Sequence, residues 1–313
     1  MQETGTSVLI QDVEKTLTRD VLVLDRKIRE GRFQRSLSLV AGASGLLGGL
    51  EVTLQHYRGS YGQRIMYTPV VLSVALAGAG VAGACSPKMA RSVLPVASAA
   101  LLGDGVLGFL MHIRGIHRKP GGWRIPIFNI VMGPPLFAPL LLGVGGFLGL
   151  IASRLRPEES SSPSRQESRA EESSRELSIR EGRFQRLLAT ATAVSAFLNG
   201  VESLYSHYKT RFETPAQWIP VLLTPPLMAA SVGAAYSRRV ARTWLPALSI
   251  CALAAGAIGS YYHVRGAARK PGGLKKLPLY NLVYGPPAFA PLLFAATGFM
   301  GLLASQLRRE KSF

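Results

Sequence analysis

Charged and apolar residues are segregated along the chain. Residues 36–56 hold Glu51 as their only charge. As a helix rising about 1.5 Å per residue, such a stretch crosses a hydrocarbon layer of about 30 Å. Comparable stretches run over 66–85, over 94–113 with only Asp104 charged, and over the uncharged 125–153. A second set follows at 187–207, 218–236, 244–264 and 277–303. The pattern predicts an all-α integral membrane protein with eight transmembrane helices. Residues 1–35 read as a cytoplasmic segment in which Leu17, Val21, Leu24 and Ile28 mark a short amphipathic helix. Residues 157–186, rich in Ser, Glu and Arg, read as a polar linker and lead-in helix between membrane units 36–156 and 187–307, and 308–313 as a tail.

The two membrane units are copies of one another. Ile28–Arg35 recurs unchanged as Ile179–Arg186, and Arg118-Lys-Pro-Gly-Gly122 recurs at 269–273, both shifted by 151 residues. Asn129–Leu141 returns at 281–293 with a shift of 152. Four spans per copy is an even number, so both copies enter and leave on the same face. The expectation is two tandem, parallel four-helix repeats, unlike the inverted repeats of many transporters.

Composition agrees with a membrane protein: 48% of residues are hydrophobic and 17% charged, against roughly 25% charged in soluble domains. Of the 36 Lys and Arg, roughly two thirds fall in the terminal segments and even-numbered loops, which predicts both termini on the cytoplasmic side. The net charge of +18 is accounted for by this bias and by anionic lipid headgroups, so nucleic acid is not expected as a partner. No cleavable signal peptide is read at the amino terminus. Cys85 and Cys251 do not align between the copies, which argues against a disulfide or a thiol metal site. Neither copy has a G-x-S-x-G elbow, a Walker loop, a CxxC pair or an HExxH helix, so catalysis by this chain alone is not expected.

Four of the five histidines form two aligned pairs, His56 with His207 and His112 with His263. His117 is unrepeated. Each paired histidine ends the first or third span of its repeat, so alternating topology places all four at the extracytoplasmic boundary. Glu51 and Glu202 stand five residues before the first histidine of each repeat, and ionisable groups at that depth are candidates for function. One reading is a non-haem metal held by two histidines and a carboxylate. However, five residues turn a helix by about 500°, which points Glu51 and His56 roughly 140° apart. A second reading uses the glycines: Gly105, Gly108, Gly256 and Gly259 lie one and two turns below the second histidine of each repeat, and Gly49 and Gly200 two turns below the first. A shallow strip under an axial histidine leaves room for haem b or another tetrapyrrole, although small-residue stripes also serve close helix packing.

Three more repeated features bear on function. Arg114 and Arg265 follow the second histidine and are candidate counter-ions for Glu51 and Glu202 or clamps for an anionic group. Asn129 and Asn281 open the fourth span, which soon meets Gly-Pro-Pro and then Pro139 or Pro291. Those prolines break a helix and free backbone carbonyls. The expected function is a membrane subunit with two equivalent outer-leaflet His/Glu sites, binding haem or metal for electron transfer or anchoring extracytoplasmic redox subunits. The alternatives are a small-solute or ion carrier built on the Glu/His cluster and broken helix, and a ligand-free scaffold.

Overall fold

The computed structural model describes residues 32–155 and 182–306. The expected amino-terminal amphipathic helix, nearly all of the polar linker and the tail lie outside the described residues. All regular structure among the described residues is helical. The first half contains α1 (Arg32–Arg58), α2 (Thr68–Cys85), α3 (Pro87–His117), α4 (Pro126–Val131) and α5 (Ala138–Leu155). The second contains α6 (Arg183–Lys209), α7 (Trp218–Tyr236), α8 (Arg238–Arg242), α9 (Trp244–Ala268), α10 (Gly273–Lys276), α11 (Pro278–Val283) and α12 (Ala290–Gln306). The order of elements recurs, except that α3 is continuous where its counterpart breaks at Thr243 between α8 and α9, and that α10 stands where the first half has a short 3-10 helix, Gly122–Arg124.

Six helices are long and apolar enough to cross a membrane: Gln34–Arg58, Arg64–Cys85, Pro87–His117, Arg183–Lys209, Pro215–Tyr236 and Arg238–Ala268. The other two expected spans do not run as single helices. Residues 125–153 divide into short α4, a break at Gly133-Pro134-Pro135, and α5; residues 277–303 divide in the same way into α11 and α12. A proline has no N–H and its ring clashes with the preceding turn, so two in succession stop the helix. Pro139 and Pro291 then fall in the first turn of α5 and α12, where a missing N–H costs nothing. The apolar parts of these helices, Ala138–Arg154 and Ala290–Ser305, are shorter than the other six.

Within each half the helices pack as a closed ring: α1 on α2, α2 on α3, α3 on α5 and α5 back on α1, with α6, α7, α9 and α12 repeating the order. Large apolar side chains cover the outside of both rings, among them Val71 (63% exposed), Val96 (70%) and Leu222 (66%). Such a surface suits contact with lipid. One apolar core joins the halves near the start of α1 and α6 and the end of α5 and α12, through Leu37, Ile151, Leu188, Met300 and Leu303.

The rings close tightly because glycines face neighbouring backbone. A Cβ added at Gly105 would lie 2.6 Å from the Pro139 carbonyl, and one at Gly256 would lie 2.6 Å from the Ala295 Cβ and 2.7 Å from the Pro291 carbonyl. Gly103 faces nothing within 4 Å. Gly256→Ala is therefore expected to destabilise the detergent-solubilised protein by about 1–3 kcal/mol through overpacking, seen as a lower thermal midpoint, while Gly103→Ala leaves the midpoint unchanged or slightly higher.

Candidate functional site

The glutamates reach across the boundary between the halves. Glu51, on α1 and 8% exposed, accepts the Phe289 N–H at the start of α12 over 2.9 Å. Glu202, on α6, accepts the Phe137 N–H at the start of α5 over 2.8 Å. Each carboxylate thus sits at the open amino-terminal end of the other half's broken helix, where unpaired N–H groups and the helix dipole attract negative charge. The two contacts have different local support. Gln55 donates to Glu51 at 2.7 Å. Near Glu202, the Tyr205 hydroxyl accepts the Leu136 N–H at 2.7 Å and hydrogen-bonds to the Glu202 carboxylate.

Three histidines take up freed or turn carbonyls. His112 Nδ1–H donates to the Pro135 carbonyl at 2.5 Å, and His263 Nδ1–H to the Pro287 carbonyl at 2.6 Å. These acceptors belong to the Gly-Pro-Pro break. His56 Nδ1–H donates to the Met66 carbonyl at 2.7 Å. A carbonyl only accepts, so Nδ1 bears the proton in all three and Nε2 keeps its lone pair. His207 makes no such bond to Gln217, the counterpart of Met66, among the described residues. Its ring lies against His263 instead, with centroids 6.4 Å apart. The two histidine pairs are thus not equivalent.

The turn after α1 and α6 carries residues to which sequence reasoning gave no role. Ser60 and Tyr61 (φ 61° and 46°) and their counterparts Arg211 and Phe212 (φ 55° and 51°) occupy the left-handed region, which costs non-glycine residues about 1–3 kcal/mol each. The strained turn stacks Tyr61 on Tyr67 at 4.3 Å and Phe212 on Trp218 at 3.9 Å. It also brings Tyr61 to 5.9 Å from His56 and Phe212 to 6.1 Å from His207. An aromatic pair at corresponding positions of both copies was the available signal. Asp104, whose counterpart in the second copy is Ala255, accepts a hydrogen bond from Thr68 at 2.5 Å and interacts electrostatically with His56.

Several expectations about this region are corrected. Glu51 and Glu202 are bonded to the other half's backbone, and among the described residues no group of three His, Cys, Asp or Glu could hold a metal ion. The glycine strips leave no room for a macrocycle. Gly105 and Gly108 abut Pro139, Gly256 and Gly259 abut Pro291, Gly49 abuts Ser73 and Gly200 abuts Thr224. Haem therefore does not fit beneath the imidazoles. Arg114 and Arg265 form no ion pair with Glu51 or Glu202 among the described residues. Asn129 and Asn281, each 1% exposed, are clamps for the Pro-Gly-Gly turn: Asn129 donates to Pro120 and Gly122 at 3.1 and 2.7 Å, and Asn281 to Pro271 and Gly273 at 3.1 and 2.9 Å. Gly121, Gly122, Gly272 and Gly273 all have positive φ there, which glycine adopts without penalty.

No protein-family model matches this chain, and neither does any curated protein or solved structure. The geometry itself is therefore what bears on function.

Asn281→Ala removes both hydrogen bonds that tie the Pro-Gly-Gly turn to the helix and is expected to cost about 1–3 kcal/mol. The thermal midpoint in detergent should fall, and hydrogen exchange should rise selectively over residues 270–276.

Proposed function

We propose that the chain is a carrier for a small solute or ion, crossing the bilayer eight times as two parallel four-helix repeats, with both termini cytoplasmic. The single observation that supports this reading is the reciprocal capture of each half's broken helix by a glutamate of the other half. At the opposite end the halves meet through the apolar core around Leu37, Leu188 and Met300. An apolar seam at one end and two polar latches at the other let the halves rock about the seam. A carboxylate at a partly buried helix amino terminus is worth up to about 2 kcal/mol. Neutralising it with a proton or a bound cation removes that charge and loosens the latch, which couples ion binding to opening.

In proteoliposomes carrying an internal pH-sensitive dye, the wild-type protein is expected to collapse an imposed proton gradient faster than lipid alone. The Glu51→Gln/Glu202→Gln variant keeps an acceptor oxygen at each latch but cannot titrate, and it should fall to the lipid background. If wild type and variant both match lipid alone, the carrier reading fails and a ligand-free scaffold takes its place.

The proposed orientation has its own check. Cys85 is exposed at the end of α2 beside Lys88, on the proposed cytoplasmic side, while Cys251 lies inside the α9 span. With Cys251→Ser, a membrane-impermeant maleimide should label Cys85 in inside-out vesicles and not in intact cells.

One observation favours a second reading, a subunit that holds a metal for electron transfer or to anchor a redox partner. The Nδ1–carbonyl bonds of His112 and His263 are the kind that orient imidazole ligands and leave Nε2 free for a metal.

A further inference from the structure

Among the described residues three carboxyls fall within the spanning helices: Glu51, Glu202 and Asp104. The first two accept backbone N–H groups of the other half; Asp104 belongs to neither latch. It stands on α3 beside Val106 and Leu107, which expose apolar side chains on the outside of the ring. Among the described residues no Lys or Arg pairs with it. Ionisable groups placed in this way mark proton pathways in membrane proteins.

The hydrogen bonds around Asp104 suit both of its protonation states. Its partner is the Thr68 hydroxyl at 2.5 Å, which also lies 2.9 Å from the Ile65 carbonyl. A hydroxyl has one proton to give, so Thr68 donates to one of them at a time. With Asp104 ionised, Thr68 donates to it, and the Ile65 carbonyl keeps the backbone N–H of Thr68. With Asp104 protonated, its O–H donates to Thr68 Oγ1, whose own proton turns to Ile65. Neither state strands a polar group, and passing between them needs only a hydroxyl rotation. Both members of the pair are missing from the second half, where Ala255 and Ile219 stand at their positions.

Few other groups face the carboxyl. α2 brings Thr68 and no ionisable residue before Cys85, α4 brings none, and α5 brings none before Arg154. The turns before α2 and after α3 carry Arg64, Tyr67 and Arg124, none of which interacts with Asp104 among the described residues. α1 brings His56, which interacts electrostatically with Asp104 and in turn with His112, eight residues further along α3. We infer that Asp104 is a proton-binding site of the first half alone, held by Thr68 in both its charged and its neutral form. The site lies where α2 meets α3, apart from the two latches. Its titration is independent of the carrier reading; only the use of its proton in transport rests on that reading.

The test treats the full-length protein in detergent with dicyclohexylcarbodiimide, a lipid-soluble reagent that converts protonated carboxyls into stable N-acylureas. Peptide mass spectrometry then locates the adduct. Labelling of Asp104 is expected at low pH and should disappear as the pH rises. In Thr68→Val the carboxylate loses a charge-assisted donor, whereas the acid loses only a weaker neutral acceptor. The disappearance should therefore move to higher pH. A second measurement covers a site the reagent fails to reach: the infrared difference between low and high pH should contain a protonated-carboxyl band that Asp104→Asn removes. Three results would overturn the site: neither adduct nor band at any pH, labelling that does not change with pH, or a Thr68→Val protein that titrates like wild type. Neither measurement reads transport, so failure of the proteoliposome assay leaves this result standing, and the reverse holds as well.

Discussion

A backbone amide or carbonyl without a partner costs several kcal/mol in hydrocarbon, and the last apolar segment of each half is broken by consecutive prolines. Every group released by that break has to be satisfied by something imported from elsewhere. Here the carbonyl at the second proline is taken by a histidine of the same half, and the first N–H of the resumed helix by a glutamate of the other half. The buried asparagine that opens each broken span holds the preceding loop in register. Two of the polar residues retained by both copies, the glutamate and the second histidine, thus answer one backbone problem.

This division of labour sets how the halves relate. Histidine and asparagine act within a half, so each ring of helices closes on itself. The glutamates act between halves and do so reciprocally, which fixes an approximate twofold relation without a large interface at that end. The copies have then diverged around this frame. Beneath Glu202, Asn199 donates to the Thr297 hydroxyl at 3.0 Å, and Ser195 pairs with Thr297 at 2.7 Å. The corresponding first-half positions are Ser44, Gly48 and Gly145, which hold no such cluster. The second half carries a polar column below its latch, whereas the first has Asp104 and Thr68 beside its histidine.

Helix positions and the proline break in the last apolar segment of each half could be read from hydropathy, proline placement and the repeat. Those are local properties, and chain topology carries them over directly. Partner choice could not be read in the same way. Helical geometry correctly separated Glu51 from His56, but nothing local indicated that Glu51 would meet Phe289 in the other copy, because that contact depends on how two finished rings dock. The glycine strips were legible as flat surfaces. Whether a flat surface receives a cofactor or another helix is decided by the neighbour, and Pro139 and Pro291 fill them. The left-handed turns at Tyr61 and Phe212 were missed because none of the four positions that adopt positive φ, Ser60, Tyr61, Arg211 and Phe212, is the glycine that usually marks such a conformation.

Repetition within a chain is therefore an ambiguous guide to function. His112 and His263 are both retained, and both are explained by the carbonyl each must satisfy, so their identity does not separate a structural role from a ligand role. The first-span histidines are more informative because their environments differ. His56 has a carbonyl at Met66 that accounts for it, while His207 has lost that contact and faces another imidazole beneath an aromatic cover. A polar side chain at this depth is retained when something compensates its burial. For His56 the compensation is a backbone group; His207 has a ring contact with His263 in its place. Divergence between the copies therefore separates roles that their likeness leaves together.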